Sequence, residues 1–219
     1  MAVKRIAILG AGGQAREIAW LIRDINRQDN KYQFLGYIVR DTAKLGGTDT
    51  RDNLLGNDSW LDENSRNIDC LAMGIGDPRL RLKLGRALTH RFPSIEWPTL
   101  IHPSAVLDSE SCKVGPGVVI SAGVVCTTDI SIGAFSLINF GSTIGHDVQL
   151  GEGCVVNPGA NISGGVVLDD GVLVGTGAQI LQYLAIGSGA TVGAGAVVVK
   201  NVAEKCTVVG IPARLLERH

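Results

Sequence analysis

The chain has 219 residues, enough to bury a sizeable core in one or two domains, with 45% apolar residues and a formal net charge of −1. Charges of both signs are interspersed without a basic stripe, which argues against nucleic acid or an anionic membrane surface as partner. No segment approaches the roughly 20 apolar residues that a membrane span needs.

The N-terminal string KRIAILGAGG has a basic pair before a short apolar run. It breaks into glycines too soon for a signal peptide and reads as a first β-strand. The turn Gly10-Ala11-Gly12-Gly13-Gln14-Ala15 leads into a helix whose apolar face is Ile18, Leu21, Ile22 and Ile25. A second strand is predicted over 34–39, a third apolar run over 70–75, a basic helix from Arg79 to about Leu88, and a last short strand before Pro98. Strands alternating with helices imply a small, Rossmann-like parallel sheet.

The glycine turn fits the GxGxxA form in which backbone amides approach a diphosphate at a helix N-terminus. Val39 and Arg40 stand where a ribose-binding carboxylate is expected, with Asp41 one step later. About a hundred residues is also short for a two-halved dinucleotide domain, which disfavours an NAD-linked oxidoreductase. Two readings stay open: a diphosphate of another kind, such as that of a nucleotide-sugar, which fits better, and a purely structural tight turn.

The segment LIHPSAVL, bracketed by Pro98 and Pro103, marks a change of pattern. We expect a boundary there, dividing the chain into domains 1–100 and 101–219. From Val114 to Val198 an aliphatic residue, or once Cys126, returns at every sixth position without a gap. An α-helix demands returns at three and four residues, whereas a six-residue return fits short strands broken by turns. The fourth residue after each anchor is also small or apolar, so two positions per repeat face inward. The C-terminal domain is therefore expected to be a parallel β-helix, a rigid prism whose flank, paired with a neighbouring subunit, can hold a long thin cofactor.

Five cysteines occur without a CxxC pair, three of them at inward places of the repeat. Buried thiols in a reducing cytoplasm fit this usage better than a disulfide framework or a zinc site. Of four histidines, His146 falls at a predicted corner of the coil, followed directly by Asp147. An imidazole with an ordinary pKa near 6.5 can take a proton from a nucleophile, and an adjacent carboxylate can orient it. A solvated surface pair fits the residue types equally well. Three hexapeptides make one turn, so Gly164 lies one coil beyond His146, on the order of 5 Å away. A backbone amide there can donate to an oxyanion, although another corner glycine fits the spacing as well.

The turn GAGGQA, the string GIGDPRLRLKLG over 74–85, the linker HPSAV, the string INFGSTIGHD and the ending VGIPARLL together resemble a family of bacterial sugar acetyltransferases. These join a nucleotide-sugar-binding domain to a left-handed β-helix. They include N-acetyltransferases for nucleotide-linked amino sugars of the bacillosamine and perosamine type, and sialic acid O-acetyltransferases. The resemblance covers nearly the whole chain. It implies a homotrimer with acetyl-CoA between adjacent β-helices and the nucleotide-sugar held chiefly by the N-terminal domain; the scattered cysteines and few histidines lead us to expect no metal.

By that resemblance His146 matches the general base, Asp147 the acid beside it, and Asn139 a polar residue near the reacting sugar. Gly164, Thr176 and Ala194 match contacts to the CoA arm. Gly12, Gly13 and Gln14 match the diphosphate loop, Arg40 and Asp41 the nucleoside-contacting strand end, and Gly76 and Arg79 a further substrate contact. Three positions depart from the pattern. Gln14 stands where histidine is common, Arg40 where aspartate is common, and Val155 where a histidine often contacts the acetyl group or CoA, so a cofactor contact by Val155 is limited to packing.

Lys200, Lys205 and Arg214 are candidates for the CoA phosphates, or solvated corner charges. The expected reaction is direct transfer of acetyl from acetyl-CoA to a sugar amine, with sugar O-acetylation as the alternative. A non-catalytic sugar-binding or scaffold β-helix stays open. A trimeric zinc carbonic anhydrase needs three converging histidines, and the repeat supplies only His146 after His102.

Overall fold

The computed structural model describes residues 2–47 and 50–216. Strands β1 (Lys4–Leu9), β2 (Tyr32–Ile38), β3 (Leu54–Gly56) and β4 (Cys70–Met73) form a parallel sheet in the order β3-β2-β1-β4. Ile6, Ala7 and Ile8 are all fully buried, the continuous apolar run of a strand covered on both faces. Helix α1 (Gly13–Gln28) buries Ala15, Ile18, Ala19, Leu21, Ile22 and Ile25, at the three- and four-residue spacing of one face. Helices α2 (Asp58–Asn64) and α3 (Pro78–Arg91) cover the other side, packing Leu61 and Leu88 with Leu9, Ile38, Leu71 and Met73. Asp77 caps α3, its Oδ1 accepting from Leu80 N at 2.8 Å, and Pro78 occupies the first turn.

The expected strand before Pro98 is absent: the segment makes only an isolated bridge between Glu96 and Cys70. Pro93 and Pro98 bracket it and leave few donors for a ladder. Conversely, β3 and α2 carry too few residues for a period to show in the sequence, and neither was anticipated.

From Leu100 the chain winds into a triangular prism of two- and three-residue strands, a left-handed parallel β-helix. Its faces are sheets of eight, six and five strands. Ser131 pairs with Gln149 and Gln149 with Val167, so one coil takes eighteen residues. The anchors point inward and are buried from Ile120 on, Val114 being partly buried, as are small residues four places on, among them Val118, Val124, Val148, Ala160 and Ala178. The first coil is one residue longer, since Leu100 pairs with Val119. At the far end Thr191 pairs with Thr207, sixteen positions on. These two irregular coils are why the gapless period runs only from Val114 to Val198.

The prism's eight-stranded face is covered by α1. Leu100, Val119, Leu137 and Val155 share one apolar cluster with Ile18, Leu21 and Ile22. One polar and one aromatic contact pin the joint. His102 Nε2 lies 3.1 Å from Asp24 Oδ2, both largely buried, and Trp20 stacks on Phe140 at 5.9 Å between ring centroids. Helix α3 meets the prism edge through Gly85, where a methyl group would sit 2.7 Å from the Phe135 ring. No helix among the described residues is long and apolar enough to cross a membrane.

Candidate active site

The turn after Ile144 carries the chain from the six-stranded face to the five-stranded face and presents His146 to solvent, its side chain 57% exposed. Asp147 adopts φ +60°, a conformation that an Asx residue tolerates better than most. Its Oδ2 lies 2.8 Å from His146 Nδ1. An ionised carboxylate only accepts, so this contact assigns the ring proton to Nδ1 and leaves the Nε2 lone pair free. The ring lies over Gly164, one coil on: a methyl group there would be 2.5 Å from His146 Cε1 and Nε2. Gly164 N–H has no acceptor among the described residues, as is true of the corner amides of Thr128 and His146. What distinguishes Gly164 is therefore the imidazole above its amide, not the free amide alone. Together these groups form a proton acceptor beside an oxyanion donor.

Asn139, Thr176 and Ala194 occupy a different corner, where the chain passes from the eight-stranded to the six-stranded face. Asn139 is buried, with Nδ2 donating to Asn157 Oδ1 at 3.3 Å and Oδ1 without a partner. Thr176 and Ala194 are exposed one coil apart, Gly195 N donating to Thr176 O at 2.8 Å. Within one chain the six-stranded face separates this trio from His146, Asp147 and Gly164. That face carries a side-chain ladder, Thr143 to Asn161 to Gln179, and the exposed apolar residues Val125, Leu181 and Val199.

In the α/β domain the N-terminus of α1 has no side-chain cap and no acidic residue in its first turn, so the amides of the Gly12-Gly13-Gln14 turn are available to an anion. Beside it, at the C-terminal ends of β1 and β2, opens a crevice of about 930 Å³, the position where open parallel sheets bind ligands. Gly10, Ala11, Arg40 and Asp41 line it, with Leu80, Lys83 and Leu84 of α3 opposite. Gln14 lines a small gap at the joint with His102 and Phe140. Gly76 and Arg79 are exposed at the start of α3 and do not line the crevice.

The sequence reading missed Arg81, two residues beyond Arg79. It is fully buried and unpaired with any carboxylate, donating through Nε to Phe135 O at 2.9 Å and through Nη1 to Met73 O and Ile75 O at 3.0 and 2.7 Å. Burial pulls its pKa down to about 9, and Nη2 has no partner. Arg81 thus ties the end of β4 and the following Ile75, which lines the crevice, to the prism. On the same helix the exposed Arg86 bridges Glu152 and Asp170 at 2.6 and 3.0 Å.

The expected cofactor contact by Val155 is corrected: its side chain is 1% exposed within the cluster under α1, and offers no surface to a cofactor. Cys126 and Cys154 face inward and burial pushes both thiols up to about 12, so neither is an available nucleophile. Lys205 pairs with Glu204, and Arg214 donates to Ala213 O. Among the described residues no group of three or more His, Cys, Asp or Glu is placed to hold a metal.

A hexapeptide β-helix carrying an outward imidazole over a free amide defines a candidate acyltransferase. A search of curated proteins finds no match, but residues 5–88 match the PglD N-terminal domain. Over nearly their full lengths the chain is similar to three solved structures. PerB from Caulobacter crescentus, in complex with CoA and GDP-perosamine, is 32% identical over 99% of each chain with a TM-score of 0.86. WeeI from Acinetobacter baumannii is 33% identical over 96% of this chain and 99% of its own, with a TM-score of 0.80. The acetyltransferase domain of PglB from Neisseria gonorrhoeae, in complex with acetyl coenzyme A, is 28% identical over 98% and 100%, with a TM-score of 0.84. The chain belongs to the hexapeptide-repeat sugar acetyltransferase family.

Proposed function

We propose that this chain transfers the acetyl group of acetyl-CoA to the amino group of a nucleotide-linked amino sugar, with His146 as general base. The observation that carries this reading is the His146 corner, where Asp147 holds Nδ1 and leaves Nε2 facing the unpaired Gly164 amide. The amine nitrogen attacks the thioester carbonyl carbon, and the C=O electron pair moves to oxygen, where the Gly164 N–H stabilises it. His146 Nε2 takes the amine proton. The C–S bond then breaks, and the thiolate leaves with that proton from the imidazolium. Asn139, matched by the resemblance to a polar residue near the reacting sugar, is buried with its Oδ1 covered, so in this reading it acts by shaping its corner through Asn157 rather than by touching the amine.

In this reading the α/β domain, residues 1–100, binds the nucleotide-sugar and the β-helix, 101–219, the acyl donor. Gly12, Gly13 and Gln14 take the diphosphate, Arg40 and Asp41 the nucleoside, and Gly76 and Arg79 flank the sugar. Thr176 and Ala194 contact the CoA arm. Because they and Asn139 stand on a different corner from His146, the reading requires a second copy of the chain that brings the two corners together. A closed ring of three does this with one repeated heterologous contact, and covers Val125, Leu181 and Val199. The unpaired thiols favour the cytoplasm as the place of reaction. The similarity to perosamine N-acetyltransferase from Caulobacter crescentus favours nitrogen over oxygen as the acceptor.

The test is release of CoA thiol from acetyl-CoA with a panel of nucleotide-linked amino sugars. His146→Ala is expected to lower turnover by about 10²–10⁴-fold. Turnover close to that of the native chain would remove the general-base assignment, and no thiol release with any sugar would remove the transferase reading.

A further inference from the structure

Corner positions at eighteen-residue spacing share one backbone conformation: Asp129, Asp147, Gly165 and Tyr183 all have φ between 57° and 67°. Glycine adopts this at no cost and aspartate tolerates it, but a bulky aromatic does so only under strain. Tyr183 is also 72% exposed, and neither its hydroxyl nor its ring has a hydrogen-bond or ring partner among the described residues. Folding of the coil therefore gives no reason for a tyrosine at this position.

Its placement gives one. The Tyr183 ring leans back onto Gly165, where a methyl group would overlap Cδ1 and Cε1. The His146 ring leans forward from the other side onto Gly164. The two rings thus bracket one dipeptide, Gly164-Gly165, which has no side chains and presents an unpaired N–H between them. A base, an aromatic ring and an oxyanion donor therefore meet along one edge of the prism.

We propose that Tyr183 binds the acyl donor, its ring forming the wall against which the thioester sulfur and the adjoining part of the CoA arm pack. Sulfur and amide groups both pack favourably on an aromatic ring. The wall holds the carbonyl over Gly164 N–H and limits the acyl chains that fit between the rings. This inference rests on the assignment of His146 and Gly164 to the reaction.

Tyr183→Gly removes the ring and leaves a residue suited to the local φ. It is expected to raise the KM for acetyl-CoA by about tenfold and to improve the use of butyryl-CoA relative to acetyl-CoA. The KM for the nucleotide-sugar, the assembly mass and the melting temperature are expected to hold. Tyr183→Phe keeps the ring, and its donor KM is expected to stay within about twofold of the native value. An unchanged donor KM in the glycine variant, or a change in its assembly mass, overturns the wall assignment while the His146 reading stands. Full turnover in His146→Ala instead overturns the reading on which the assignment rests.

Discussion

In the prism a residue's neighbour is found by adding eighteen to its number, as Thr143 meets Asn161 and Asn161 meets Gln179. In the α/β domain no such rule exists: β1 lies between β2 and β4, and Leu9 meets Met73 across more than sixty intervening residues. The difference has a physical origin. A solenoid coil touches only the coils beside it, so its contacts follow the repeat. A sheet covered on both faces is ordered by which crossover connections pack, and short elements are placed by the whole. A site on the prism therefore inherits an arithmetic geometry, while a site at the ends of the sheet strands depends on several separate elements.

The largest test after loss of His146 itself aims at the arithmetic. Gly164→Ala puts a methyl group on the imidazole one coil below, so the ring must rotate away from the oxyanion position. Turnover is expected to fall about 10²-fold, as for a small misplacement of a reacting group. Stability should hold, because the ring that moves is exposed. Equal turnover in the variant would mean that the coil spacing does not set the chemistry.

The next test aims at the joint between the regions. Arg81→Met keeps much of the volume but leaves the carbonyls of Met73, Ile75 and Phe135 without their donor. A loss of about 2–4 kcal/mol in urea unfolding is expected, because unpaired buried carbonyls outweigh relief of the buried charge. Ile75 lines the crevice, so the KM for the nucleotide-sugar should rise while that for acetyl-CoA stays. A rise in both would mean that the clamp shapes the prism as well.

The smallest effect is confined to the sheet domain. Asp69 accepts from Arg5 N, Nε and Nη2, and the guanidinium holds its carboxyl down to about 2. A folded pKa below the unfolded 3.8 means stability that is present above pH 3.8 and lost as the pH falls towards 2. The pair is partly exposed, so the effect is modest. Urea midpoints of the native chain and Asp69→Asn should differ at neutral pH and converge in acid. A constant difference would assign the loss to packing.

The contrast between the regions also decides what could be read in advance. The six-residue return of aliphatic residues specified the prism and its inward places, because each hexapeptide repeats the same demand for two buried side chains. It placed His146 and Asp147 at an outward corner and Gly164 one coil on, since stacking follows from chain length alone. The strand, glycine turn and helix at the N-terminus were legible from period and turn chemistry. Tertiary packing alone decided that Val155 lies under α1, which depends on where the first domain docks on the prism. It alone selected Arg81 over Arg79 for the interior, because two positions along a helix are about 200° apart and only one can face Phe135. It alone brought the Tyr183 ring down onto Gly165 beside His146, since a spacing fixes where a residue stands but not the direction its side chain takes.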